Sequence, residues 1–269
     1  SYPDADFHNG KIYLTYDCGR TKEREIMFAA FTEEDIIKGC DIPVAVISKP
    51  RIIPSKEEII KAVCEHKIIA ILRNIPSDKL IRLAKALYNG GIRLLEITFN
   101  ANGDVSDADV AKNISLLTNH FKDKMYIGAG TVLTAEQVRL ARSGGASYII
   151  SPNVNADVAN ETHLCSMVYM PGALTPTEIQ YAHELGAGFV KLFPISNLGT
   201  AYVKAVKAPL SHIKLLAVGG INTDNMRQYL DTGVCGFGIG ASMTPKNLIY
   251  NDDYEAITKL AKKYVSEVK

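Results

Sequence analysis

From residue 56 onwards, short apolar runs alternate with longer amphipathic stretches, which limits the chain to a few α/β architectures. The apolar runs fall at 68–72, 94–99, 125–131, 148–151, 167–170, 188–194, 214–220 and 236–240. Most are too short for a buried helix and rich in β-branched or other large apolar residues, so each reads as a strand buried on both faces. Between them, 77–88 and 105–119 read as helices, Thr134-Ala135-Glu136 opens another, and a last one covers 254–268. Thr175-Pro176-Thr177-Glu178 is a helix start with proline in the first turn. Asn89-Gly90-Gly91 and Ser143-Gly144-Gly145 supply helix stops ahead of strands. Eight strand–helix units predict an α/β fold, a (β/α)8 TIM barrel over residues 56–269. An open doubly wound sheet is the competing topology. Its Gly-rich first turn is missing, because Leu72-Arg73-Asn74-Ile75 follows the first strand.

Composition narrows the partners. The 269 residues suffice for one α/β core plus an appendage. A formal net charge of +1 without a long basic run argues against nucleic acid. No apolar stretch approaches a membrane span, and the first residues lack the form of a signal peptide. The five cysteines (Cys18, Cys40, Cys64, Cys165, Cys235) are odd in number, scattered, and show no metal or redox spacing. Reduced thiols in a cytoplasmic protein are the expectation, with no metal and no cofactor.

Chemistry in such a barrel gathers at the C-terminal ends of the strands. Lys191 stands in the sixth of these runs, Gly188-Phe189-Val190-Lys191-Leu192-Phe193-Pro194. Burial disfavours an ammonium and so leaves free amine near neutral pH, and a free amine attacks carbonyls. The bland alternative is a lysine snorkelling from a strand end to water. Glu96 sits mid-strand between Leu95 and Ile97, where an unpaired carboxylate is costly. It reads either as the salt-bridge partner of Lys191 or as a proton carrier, which Schiff-base chemistry needs at several steps. The remaining strand ends carry Arg73, Thr98, Asn100, Thr131, Pro152 and Phe193, a small and varied polar set suited to one small anionic substrate.

The last two strands end in glycines. Gly219-Gly220-Ile221-Asn222 is expected to pass straight into a helix near Thr223, and Gly238-Ile239-Gly240-Ala241-Ser242 ends the eighth strand. Backbone N–H groups of Gly219, Gly220, Gly240 and Ser242 are therefore candidates for a phosphate cradle.

Taken in order and at their spacings, Leu94-Leu95-Glu96-Ile97-Thr98-Phe99, Gly128-Ala129-Gly130-Thr131-Val132-Leu133, Ile150-Ser151-Pro152, Met170-Pro171-Gly172-Ala173-Leu174-Thr175-Pro176-Thr177-Glu178, Val190-Lys191-Leu192-Phe193-Pro194 and Val218-Gly219-Gly220-Ile221 carry a resemblance. They resemble the 2-dehydro-3-deoxy-phosphogluconate (KDPG) / 4-hydroxy-2-oxoglutarate (KHG) aldolases, a class I aldolase family. The resemblance covers about residues 56–269. It implies a homotrimeric barrel cleaving a 2-dehydro-3-deoxy sugar acid phosphate, or 4-hydroxy-2-oxoglutarate, to pyruvate and an aldehyde. It implies Lys191 as the Schiff-base lysine and Glu96 as the general acid/base. Thr131 would hold the pyruvyl carboxylate, Pro152 and Phe193 would shape the pocket, and Gly219, Gly220 and Ser242 would take phosphate. Some members have an arginine where this chain has Asn100, and Arg73 matches an arginine of other members that can replace it. Asn153 stands where glycine is common.

Residues 1–50 read as a separate extension of β-hairpin character. Its strands are 10–17 and 25–31, with a turn into helix at 32–36. The segment resembles the closing strands of sialidase-like β-propellers, and Tyr16, Asp17 and Arg20 read as structural. Two other function classes stay open for the whole chain: a metal-dependent phosphosugar epimerase and a non-catalytic phosphate-binding barrel. The epimerase needs His and Asp ligands at strand ends. His66, His120, His163 and His183 fall instead in helices or loops, and His212 precedes a strand.

Overall fold

The computed structural model describes residues 54–99 and 105–269, together with the backbone of four strands before them. The chain divides into two units, 1–52 and 53–269. In the first, β1 (Asp4–His8), β2 (Lys11–Cys18), β3 (Glu25–Phe31) and β4 (Ala45–Val46) form one antiparallel sheet in sequential order. The expected turn at 32–36, Arg20, and the side chains of Tyr16 and Asp17 lie outside the described residues.

The second unit holds β5 (Ile68–Leu72), β6 (Leu94–Thr98), β7 (Tyr126–Gly130), β8 (Tyr148–Ile150) and β9 (Val168–Met170). They are followed by β10 (Gly172–Ala173), β11 (Val190–Leu192), β12 (Leu215–Val218) and β13 (Gly236–Ile239). Every pairing is parallel, in the order β10-β11-β12-β13-β5-β6-β7-β8-β9. Strands β9 and β10 are two halves of one strand interrupted at Pro171, the first half pairing with β8 and the second with β11. Gly188 N–H donates to Tyr169 O at 2.9 Å and Lys191 N–H to Pro171 O at 2.8 Å, joining the two edges. The sheet thus closes into a barrel with eight strand positions, as the alternation predicts.

The outer layer comprises α1 (Lys56–His66), α2 (Ser77–Asn89), α3 (Asp107–Phe121), α4 (Ala135–Gly144) and α5 (Ala156–Leu164). It continues with α6 (Pro176–Glu184), α7 (Gly199–Lys207), α8 (Met226–Leu230), α9 (Lys246–Tyr250) and α10 (Tyr254–Glu267). Local chemistry sets their starts. Thr175 and Glu178 form a reciprocal capping box, with Pro176 in the first turn. Ser55, Ser106, Thr134 and Asn155 each accept a hydrogen bond from an N–H in the first turn that follows. Gly145, at φ 91°, ends α4 in the left-handed region that glycine enters without penalty.

The core has two compartments. Outward-facing strand residues such as Leu95, Ile97, Val190 and Leu192 pack under the helices. Inside the barrel, Ile69, Leu94, Tyr148, Val168, Phe189 and Leu216 form a second cluster, joined by Ile59 and Val63 of α1. Both α1 residues are wholly buried. Helix α1 therefore plugs the N-terminal end of the barrel, and the interior opens at the C-terminal strand ends.

Among the described residues, no helix is long and apolar enough to cross a membrane.

Candidate active site

Strand alternation decides which side chains reach the interior. In β6, Leu95 and Ile97 turn outward, so Leu94, Glu96 and Thr98 point inward. In β11, Val190 and Leu192 turn outward, leaving Lys191 inward beside Phe189 of the cluster inside the barrel. Counted from β5, β6 is second and β11 sixth of eight positions, so Glu96 and Lys191 face each other across the barrel. Glu96 is 1% exposed and Lys191 6%.

The two are not in ion-pair contact, but each feels the other's charge. Burial pushes the Glu96 carboxyl above its ordinary range, against the opposing pull of Lys191 and Arg73. Burial pushes the Lys191 ammonium down; Glu96 opposes this and Arg73 adds to it. Arg73 thus acts electrostatically on both groups from the end of β5. The Lys191 Nζ also lies 4.8 Å from the centroid of the Phe193 ring.

Two glycines of β7 make room for this arrangement. A Cβ at Gly130 would run into the Glu96 carboxylate, which lies over that glycine. A Cβ at Gly128 would run into the ring of Tyr148. The Tyr148 hydroxyl donates to Leu95 O at 2.6 Å, and burial, reinforced by Glu96, holds its pKa well above the ordinary value. Thr98 is 5% exposed and its Oγ1 has no hydrogen-bond partner. Thr131, just past β7, holds φ 56°, a left-handed conformation costly for a β-branched residue.

A cavity of about 500 Å³ opens above the lysine. It brings together seven of the expected residues: Arg73, Lys191, Phe193, Gly219, Gly220, Gly240 and Ser242. Glu96, Thr98, Thr131 and Pro152 are not part of its wall; Glu96 and Thr98 lie deeper, and Asn100 is outside the described residues. One expectation needs correcting. The helix expected near Thr223 begins only at Met226 and has five residues. The intervening turn is held by Asn225, whose amide donates to Gly220 O and whose Oδ1 accepts from Asn222 N–H. The Ser242 hydroxyl donates to Ile221 O at 3.1 Å. Of the two readings of Glu96, the salt bridge to Lys191 is not formed, and the two groups stand opposed across the barrel. The cavity also contains residues that strand-end reasoning missed, Asn222, Lys246 and Tyr250 among them.

The family described as "Aldolase: KDPG and KHG aldolase" matches residues 59–260. The chain is a member of that family. The aldolase is 36% identical over 177 residues to the 2-dehydro-3-deoxy-6-phosphogalactonate aldolase of Escherichia coli K12, covering 65% of this chain and 83% of that one. It is 31% identical to the 2-dehydro-3-deoxy-phosphogluconate aldolase of Haemophilus influenzae, covering 79% of this chain and 98% of the relative. The KDPG aldolase of Legionella pneumophila, solved with pyruvate captured as a covalent carbinolamine, superposes with a TM-score of 0.68 at 29% identity, covering 76% and 96% of the two chains. The aldolase is thus a carbon–carbon lyase of the Schiff-base class, which retires the epimerase and non-catalytic readings. Among its described residues, no group of three His, Cys, Asp or Glu side chains could hold a metal ion.

Proposed function

We propose that the aldolase cleaves a phosphorylated 2-dehydro-3-deoxy sugar acid to pyruvate and an aldehyde phosphate, with Lys191 as the amine and Glu96 as the proton carrier. The observation that carries this reading is a lysine 6% exposed facing a carboxylate 1% exposed across an interior that opens into a glycine-lined cavity. Relatives named for phosphogalactonate and phosphogluconate substrates support the phosphorylated class. 4-Hydroxy-2-oxoglutarate is the unphosphorylated second substrate.

The neutral Lys191 amine adds to the C2 carbonyl, giving a carbinolamine. Glu96, whose hold on a proton burial strengthens, donates that proton to the departing hydroxyl, and water leaves as the iminium forms. The Glu96 carboxylate then accepts the C4 hydroxyl proton. The C3–C4 bond breaks, its electron pair passes into the enamine, and the aldehyde departs. Protonation at C3 and attack of water on the imine release pyruvate and restore Lys191.

At the reacting end, Arg73 supplies positive charge for the substrate carboxylate, with Thr131, Thr98 and Asn100 as hydrogen-bonding neighbours. Phe193 shapes the pocket directly, and Pro152 does so from outside its wall. A Cβ at Gly172 would strike Pro152 O, so these two segments pack closely. At the far end, N–H groups of Gly219, Gly220, Gly240 and Ser242 take the phosphate. A cytoplasmic homotrimer, with the two described units as separate domains, completes the reading; sedimentation velocity tests the assembly.

Incubation with pyruvate and borohydride, followed by intact mass, tests the nucleophile. The wild type should gain one stable pyruvyl adduct, and Lys191→Met should gain none while keeping its circular dichroism spectrum. An adduct on the variant places the amine elsewhere.

A further inference from the structure

We propose that Lys246 is a specificity-determining contact that supplies the positive charge for the substrate's terminal phosphate. This rests on the phosphorylated-substrate reading and goes beyond its glycine cradle. Among the described residues, the charged groups lining the cavity are Arg73, Lys191 and Lys246, and none is a carboxylate. Arg73 and Lys191 belong to the reacting end, since each acts electrostatically on Glu96. The glycine end carries no charged side chain of its own, and the Ser242 hydroxyl is already engaged with Ile221 O, which leaves neutral backbone N–H groups. A phosphate monoester carries nearly two negative charges at neutral pH. Neutral N–H groups give it direction, but they leave its charge unmatched.

Lys246 meets that need from an unexpected place. It lies four residues beyond Ser242, in the first turn of α9, and lines the same cavity as Gly220 and Ser242. No carboxylate among the described residues is in ion-pair contact with it. It is exposed at the cavity rim, so water and salt screen it and its effect is modest. Its long stem lets the ammonium follow the phosphates of acids that differ in sugar configuration. Lys246 therefore selects for the anion and leaves the choice of stereoisomer to the reacting end.

The test compares kcat/KM for a 2-dehydro-3-deoxy-6-phospho acid with that for 4-hydroxy-2-oxoglutarate in wild type, Lys246→Met and Lys246→Arg, at low and at raised salt. The ratio of phosphorylated to unphosphorylated substrate should fall about fivefold in Lys246→Met at low salt, through KM rather than kcat, with less difference at high salt. Lys246→Arg should restore most of it. A wild type that prefers the phosphorylated acid, paired with a Lys246→Met variant of the same ratio, overturns the role of Lys246 and leaves the cradle standing. A wild type with no such preference overturns both. An effect carried by kcat on both substrates also overturns the proposal, because it marks a structural role.

Discussion

Replacing Gly130 by alanine separates catalysis from folding in a way the geometry makes specific. The added Cβ would overlap the outer atoms of the Glu96 side chain: Oε1, Cδ and Cγ. These are the far end of a flexible chain, so the carboxylate swings aside rather than the backbone shifting. The folding cost should stay near the low end of the roughly 1–3 kcal/mol typical of overpacking, a fall in Tm of only a few degrees for a domain of this size. Catalysis has no such tolerance. A carboxylate moved by an ångström or more can no longer reach both the C2 oxygen and the C4 hydroxyl. Positioned acid/base catalysis contributes about 10²–10⁴ in rate, and Gly130→Ala should lose at least the lower figure in kcat. The assay is pyruvate release coupled to lactate dehydrogenase, run beside borohydride trapping and thermal melting. Trapping should persist, because Lys191 is untouched. Gly128→Ala is the contrast: its Cβ meets the buried ring of Tyr148, which is pinned through its hydroxyl to Leu95 O and has nowhere to go. That variant should lose stability first. If Gly130→Ala turns over near the wild-type rate, Glu96 in the position described is not the proton carrier, and the reasoning from its packing is wrong.

Other expectations follow from the same site. Glu96→Gln keeps shape but cannot carry a proton, so turnover should drop about 10²–10⁴-fold with imine trapping less affected; normal turnover would remove Glu96 from the mechanism. Arg73 lowers both the Lys191 and Glu96 pKa values. Arg73→Ala should therefore raise both. The acidic limb of kcat/KM against pH, where Lys191 must lose its proton, should move to higher pH, and KM for 2-oxo acids should rise. An unmoved limb would detach Arg73 from the amine. Gly220 has φ 72° and a Cβ there would press on Ser196, so Gly220→Ala should lower the ratio of activity on phosphorylated over unphosphorylated acids. Equal slowing of both substrates would place the cradle elsewhere.

The barrel and its inward-facing lysine and glutamate were legible because they rest on short-range pattern. Eight apolar runs of strand length with helix stops between them leave few topologies, and an inward lysine in one run stands out against its neighbours. What lay hidden depends on which side chain leans on which. Spacing marks Gly130 as small, but only the fold shows that the Glu96 carboxylate occupies its missing Cβ. The segment after β12 was expected to become helix at once. Asn222 Oδ1 instead accepts from Asp224 N–H at 2.9 Å, and Asn225 closes on Gly220 and Asn222, so side chains compete with the helix until Met226. Lys246 escaped because it comes from beyond a strand end, through a turn whose direction the sequence does not specify. The plug formed by α1 was hidden as well, since an amphipathic helix reads alike whether it covers a barrel wall or its floor.

That floor has a consequence for the order of events. A vessel stoppered at one end fills and drains through one neck. In the proposed mechanism the aldehyde fragment sits between the pyruvyl imine and the neck, held there by its own phosphate, and the water that must hydrolyse the imine arrives by the same route. Clearance of the first product therefore gates delivery of the last reactant. While the aldehyde lingers, the enamine beneath it is shielded from solvent and poised to recombine.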